Sequence, residues 1–369
     1  MFEIRTSERK AFKRCAQRWE WSYIEGLDAA RSGIHLWFGT AVHEALAKWY
    51  LPGFARGPHP AETFEAFVKE DRKMRVTNED EEKEYVSSVA LGISMLNNYV
   101  NTYGKDDSWN VISTEEPFTI WLPKPADMTG GKTKPRWFRY DGTWDGTYRD
   151  EMTGMILLME HKTAAGLNVS HLPLDDQCGS YWTLADRILK RRGTIKPNEH
   201  LEGVMYNFLR KQMLDTRPKD HLGRATNNPQ KAHYLEALEG KYVPHKADKI
   251  EDLQRAADEL GITVLGEVSK TQPAPYFERW PAYRSSAERE TQYRRIQEDA
   301  WHIEQARLAY QGEAYYPITK NPTKDCSWDC EFFRMCQLHE QGDMESVEDF
   351  KKTMFVHRDP YADHAGKSA

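Results

Sequence analysis

GMILLMEHKT, residues 154–163, is the stretch that decides the fold. Its apolar run reaches Met159, continues through Glu160, His161 and Lys162, and then gives way to the small residues of TAAG (163–166). The run reads as a buried strand. In a strand, residues i and i+2 project to the same side, so Glu160 and Lys162 point together from its C-terminal end. A lone Glu-x-Lys is most often an ion pair at the rim of a sheet, so its meaning depends on what else converges there.

Working outward, WNVISTEEPFTIWL (109–122) and WFRYDGTWDGTY (137–148) have the β-branched and aromatic content of strands, and Asp150 to Gly154 turns the second into the third. A helix over about 175–191 and a strand over 201–210 follow. Upstream the chain reads as helix over 7–27, from near Phe38-Gly39-Thr40 to the LPGFARGPHP break (51–60), over 61–73 and over 80–103. Residues 246–312 read as helix again, and PITKNPTKDCSWDCEFFRMC (317–336) as a cysteine-rich loop segment. The expected organisation is a helical region 1–110 contributing Cys15 and His43, a core over 111–245, a helical and cysteine-rich region 246–345, and a fraying polar tail 346–369. No internal repeat is evident.

The 369 residues are 39% hydrophobic and 29% charged, with net charge −6 and mean hydropathy −0.79. No apolar window reaches the about 20 residues of a membrane span, and no secretory signal is evident, so the expected location is cytoplasmic. Basic stretches at 132–139, 189–196 and 210–219 could follow a phosphate track, although a charge run is more often a solvated face. The twelve Trp and eighteen Tyr predict an aromatic-rich core.

ADMTGGKT (126–133) satisfies a loose phosphate-loop pattern, but that chemistry needs a strand before the loop and a helix after it. Prolines 123, 125 and 135 and the strand-like RWFRYDGTW make it a hairpin connection instead. Across the hairpin turned by Asp150 to Gly154, Asp145 can meet Glu160 and share a divalent cation, with the His161 carbonyl as a further oxygen ligand. Lys162 can orient and help deprotonate an attacking water, or stabilise developing phosphate charge. Glu115 and Glu116, at the start of another strand, could join the acidic cluster but read more readily as surface residues, and Glu44 reads as exposed.

Further motifs surround this pair. FGTAVHEALAKWY places His43 on a helix after Gly39 and Thr40; Gly142 precedes Asp145; and DQCGSYWTLAD puts Gln177 and Tyr181 at i and i+4 of one helix face. In this order the motifs resemble the RecB-like branch of the PD-(D/E)XK nuclease superfamily, over residues 7–210. The resemblance implies an α/β restriction-endonuclease-like core, a mixed central sheet flanked by helices with helical N- and C-terminal additions. It implies a Mg²⁺- or Mn²⁺-dependent DNA exonuclease acting on single strands or duplex ends. Its ion would be held by His43, Asp145 and Glu160, with Lys162 catalytic and Gln177 and Tyr181 supporting the site or contacting DNA. Any helicase or recombination partner would be another chain. Two rival readings are a non-catalytic DNA-binding or assembly subunit that keeps the fold, and a metal-stapled scaffold.

Of five cysteines, Cys178 reads as an ordinary buried thiol. Cys326, Cys330 and Cys336 form C-x3-C-x5-C, three thiolates lacking a fourth ligand that Cys15 can supply if the termini meet. The split arrangement resembles the iron–sulfur nucleases of the same superfamily and implies a [4Fe-4S] cluster, although the first C-terminal gap is three residues where that family usually has two. Zinc is the alternative, with Cys15 or His339 as fourth ligand.

Overall fold

The computed structural model describes residues 2–29, 34–125, 127–128, 137–215, 229–264 and 275–362. Glu3–Arg5 forms a short strand, β1, and leads into α1 (Thr6–Arg14). The helix expected over 7–27 breaks at Cys15, whose backbone is extended (φ −165°, ψ 115°), then resumes as α2 (Ala16–Trp19) and a π-helical turn, Glu20–Ile24. Gly26 ends it at φ 67°, where a Cβ would lie 2.8 Å from the Arg358 carbonyl oxygen, so only glycine fits the turn into β2 (Leu27–Ala29).

The helix carrying His43, α3 (Ile34–Trp49), starts before Phe38, so Gly39 lies inside it rather than at its opening. Next come α4 (Pro60–Arg75) and α5 (Glu79–Tyr103). Asn78 caps α5 by accepting from the amides of Asp80 and Glu81, and four acidic residues in the first turn complement its dipole.

The sheet follows the expected strands: β3 (Trp109–Pro123), β4 (Trp137–Asp150) and β5 (Ile156–Ala164), then α6 (Asp176–Arg192) and β6 (Leu201–Arg210). Two short helices, α7 (Lys231–Ala237) and α8 (Ile250–Glu259), pack on each other around Tyr234, Leu238 and Leu253. Helix is not continuous over 246–312. A strand, β7 (Phe277–Tyr283), precedes α9 (Ser286–Tyr310). Among the described residues β7 pairs only with β6, and an edge strand of that kind tolerates Pro281.

The cysteine-rich segment forms α10 (Cys326–Asp329) and α11 (Phe333–Glu340). Instead of fraying, the chain continues as α12 (Met344–Met354) and β8 (Phe355–His357), which pairs antiparallel with β2. Val347 and Phe355 pack there with Trp21, Leu27, Phe332 and Met335.

The six-stranded mixed sheet runs β1-β4-β5-β6-β7, with β3 on the other side of β4. β3 and β4 pair antiparallel to Pro123↔Trp137, so the segment between them is the connection of a hairpin; residues 129–136 lie outside the described residues. β5 and β6 run parallel, joined over α6. Alternate residues of β5 enter two cores. Ile156 and Leu158 face α6 and α9, while Leu157 and Met159 face α3, α4 and α5. Each such side chain contributes about 1.5–3 kcal/mol on burial. The result is a three-layer α/β/α arrangement with the Glu160 end of β5 emerging between the layers. Among the described residues no helix is long and apolar enough to cross a membrane.

Candidate metal centre

β4 changes partner halfway along one edge. Its ladder with β1 covers Arg139 to Asp141, and its ladder with β5 begins at Gly146↔Met159. Gly142-Thr143-Trp144-Asp145 falls in the fork between the two. Beyond Gly146 the amide of His161 is free of the β4 ladder and donates instead to Asp145 Oδ2 at 2.6 Å.

The other Asp145 oxygen, Oδ1, lies 3.3 Å from His43 Nδ1, presented by α3 on the adjoining layer. Burial pulls the His43 imidazole down. Asp145, with Glu160 and Glu115 behind it, outweighs burial and pushes it up to about 9. Burial alone would raise the Asp145 carboxyl, but the His43 and His161 contacts hold it well below the usual carboxylate range. Potential ligand atoms of His43, Glu115 and Asp145 all lie within 4.8 Å of one another.

Glu115 is solvent-accessible, as its sequence context suggests, and still reaches the His43–Asp145 pair. Its neighbours Thr114 and Glu116 pair with Gly146 and Trp144, so it faces Asp145 across the hairpin. Counting back from the hairpin loop would have found it. Glu116 is less exposed than expected: its side chain is 17% exposed and pairs with Arg192 at the end of α6.

Glu160 and Lys162 share a side of β5, as the period of two requires. Lys162 Nζ donates to Glu160 Oε1, while Glu160 Oε2 is buried and accepts no hydrogen bond. Burial first, then the Asp145 charge, raises the Glu160 carboxyl. Burial would lower Lys162, but Glu160 holds its ammonium above the usual lysine range. Glu160 lies outside the group formed by His43, Glu115 and Asp145, although its charge still acts on His43.

α6 brings Tyr181 to the same fork. Its hydroxyl lies close to Gln177 and Thr6, and its ring meets Phe118 edge-on at 6.0 Å. A Cβ on Gly142 would come within 2.7 Å of Phe118 and 3.1 Å of Tyr181, which accounts for the glycine three residues before Asp145. At Gly39 a Cβ would meet only Thr163 Oγ1 at an ordinary 3.5 Å, so packing does not demand that glycine.

The His161 side chain takes the opposite face. It is buried, stacks on Tyr50 at 5.9 Å, and burial drives it down to about 3, so the ring is neutral. Its Nδ1 lies 2.8 Å from the Asn207 amide nitrogen, which donates to Tyr99 hydroxyl at 2.8 Å. Tyr50 and Tyr99 hydroxyls meet at 2.6 Å, and Arg279 donates to both and to Asp106. No spacing signal in the sequence marks these residues as a group.

The N- and C-terminal cysteine segments meet. Arg18 pairs with Glu331 at 2.8 Å, Asn321 donates to the Arg14 carbonyl at 3.0 Å, and Arg14 pairs with Asp329. Cys15, Cys326, Cys330 and Cys336 are all free thiols, half-buried. The Thr323 amide donates to Cys326 Sγ at 3.3 Å and lowers its thiol, whereas burial raises Cys336, with the Cys15 and Cys326 charges adding to it. Cys178 is fully buried between Tyr206 and the Glu160–Lys162 pair.

No curated protein matches the chain. A family model does, over residues 6–337, a span that takes in the fork, its helices and all three C-terminal cysteines. A match of that length on a mixed sheet flanked by helices shows that the chain belongs to the PD-(D/E)XK nuclease superfamily, whose members act on nucleic acid with divalent metal ions.

Proposed function

We propose that the protein is a Mg²⁺- or Mn²⁺-dependent DNA exonuclease of the RecB-like, CRISPR-adaptation type. The observation that carries the metal chemistry is the buried, unpartnered Oε2 of Glu160 beside the His43–Asp145 pair. A buried carboxylate oxygen without a donor is costly unless a cation takes it. His43, Asp145 and Glu160 would hold the ion, with the His161 carbonyl as a further oxygen donor. When bound, it would supply Lewis acidity and a water of lowered pKa.

The remaining work falls to side chains of the chain. Lys162 sits close enough to Glu160 to orient the attacking water and to offset negative charge on the phosphorus oxygens as the water oxygen bonds to phosphorus and the leaving oxygen departs. Gln177 and Tyr181 brace the fork from α6. The preference for DNA ends or single strands rests on the order of the motifs, which is RecB-like, and any unwinding partner would be a separate protein.

The four cysteines fit a [4Fe-4S] cluster joining the two ends of the chain. They are unpaired, come from two segments tied by ion pairs, and include a thiol already lowered by a backbone amide. Anaerobically purified protein should be brown and contain iron and sulfide. Colourless protein with bound zinc would replace the cluster by a zinc site.

End-labelled single- and double-stranded DNA, incubated with Mg²⁺, Mn²⁺ or EDTA, tests the reaction. Cleavage should need the metal and fall by about 10²-fold or more in Glu160→Ala and Lys162→Ala. Metal-dependent cleavage that survives both changes would overturn the residue assignment. No cleavage under any condition would favour a non-catalytic DNA-binding subunit.

A further inference from the structure

We propose that the groove between α1, α2 and the C-terminal β8 segment is a track for the phosphate backbone of a single DNA strand, outside the metal centre and leading to it. The inference rests on the nucleic-acid reading above and adds a binding surface to it.

The cations of this groove come from none of the three basic runs in the sequence. Arg5, Lys10, Arg14 and Arg18 line a cavity of about 770 Å³ together with Arg358, which follows β8. Lys10 and Arg14 stand four residues apart on α1 and so share a face. The opposite face of α1 is committed to the core, where Arg9 reaches Ser180 at 2.7 Å, Asp176 at 3.1 Å and Asp299 at 2.5 Å. Five cations in one groove of a chain with net charge −6 are a local feature that the global charge conceals. The groove is too large for one phosphate group, and cations strung along it suit a polyanion rather than an isolated ion.

These cations are available to a ligand. Lys10 is exposed and takes part in no ion pair or hydrogen bond among the described residues. Arg5 is 6% exposed; its Nη atoms donate to the carbonyls of Pro360 and Tyr361, while its Nε is buried without an acceptor. A buried cationic donor in that state is costly, and a phosphate oxygen is an acceptor of the kind it lacks. The other three hold carboxylates at the surface: Arg14 on Asp329, Arg18 on Glu331 at 2.8 Å and Arg358 on Asp28 at 3.1 Å. Surface pairs of this kind are weak, so a phosphate can take the place of the carboxylate.

The groove also has a direction. Leu36, 66% exposed, lines it from α3, seven residues before His43. At 1.5 Å per residue that is about 10 Å along the helix, on nearly the same face. A strand lying on the cations has a short path to the metal centre, with Leu36 as apolar surface beside its bases.

Fluorescence anisotropy of a labelled oligothymidylate with the full chain, in EDTA so that nothing is cleaved, tests the track. Lys10→Glu should weaken binding by about tenfold and reduce the log–log salt slope by about 0.7. Asp28→Asn should tighten binding a few-fold, because it removes a carboxylate that competes for Arg358. Lys73→Glu, at an exposed position of α4 outside the groove, should bind as the unaltered protein does. If neither Lys10→Glu nor Asp28→Asn departs from the unaltered protein, the track is overturned and the metal reading stands. A loss in Lys73→Glu as large as that in Lys10→Glu would reduce the effect to overall charge and overturn it too. Displacement of the oligonucleotide by poly-L-glutamate as readily as by unlabelled DNA would make the groove an acidic-peptide site instead. Binding that depends on Lys10 in a protein that cleaves DNA with no metal would keep the track and sink the nuclease reading.

Discussion

His43 and His161 face each other at 6.0 Å yet are driven in opposite directions. His43 is held protonated by carboxylates, and His161 is kept neutral by burial. Both unfold to an ordinary imidazole near 6.5. Stability contributed by His43 is complete below that value and is lost as pH rises through about 9. For His161 the unfolded ring binds a proton that the folded ring refuses, so stability is lost as pH falls from 6.5 toward about 3. The metal-free protein should therefore melt highest near neutral pH, with two limbs traceable by calorimetry. His161→Leu should flatten the acid limb and His43→Ala the alkaline one. If each variant keeps both limbs, these histidines do not set the profile. At this scale the sequence showed where the motif residues would gather, because period and order survive into three dimensions. Glu115 could not be told from Glu116 because an acidic pair in a strand does not reveal which member comes close to Asp145.

Elements were legible in proportion to how locally they are determined. The β3–β4 hairpin, α5 and α6 carry their own turns and caps and appear where expected. β7 does not, since FERWPAY lies before a long charged helix and becomes a strand only because β6 offers an open edge. That strand also delivers Arg279 between α5 and β6, against Asp106 at 2.5 Å and over the rings of Tyr103 and Trp109 at 3.6 and 4.1 Å. Breaking a buried pair of this kind by removing one partner leaves the other charge uncompensated. Arg279→Met should destabilise the fold by about 3–5 kcal/mol in urea unfolding. A loss below about 1 kcal/mol would mean that Asp106 finds water and that the aromatic stack, not the ion pair, secures β7.

Across the whole molecule, the two ends of the chain are built into one region. Glu8 is fully buried and accepts from Trp19 Nε1 at 2.9 Å, from Arg307 at 2.7 Å and from the Tyr361 hydroxyl. Tyr361→Phe removes only that hydroxyl and should cost about 1–3 kcal/mol in the same measurement, because Glu8 Oε2 is left without its donor. A neutral result would show that the Tyr361 hydroxyl contributes nothing to holding Glu8 in the core. None of this could be read from composition, since a tail with few apolar residues earns its order from a strand pairing and a single tyrosine on the opposite end of the chain.

The pairing of β2 with β8 has a consequence for biogenesis. A ribosome delivers Trp21 and Leu27 tens of seconds before Cys336, Val347 and Phe355, at about 5–20 residues per second. Until then the leading segment has apolar side chains and an open strand edge with nothing to cover them, while the central sheet can already assemble behind it. This seam cannot close in a newly made chain before β8 has left the ribosome. A tag placed after residue 362 would perturb the beginning of the protein as directly as its end.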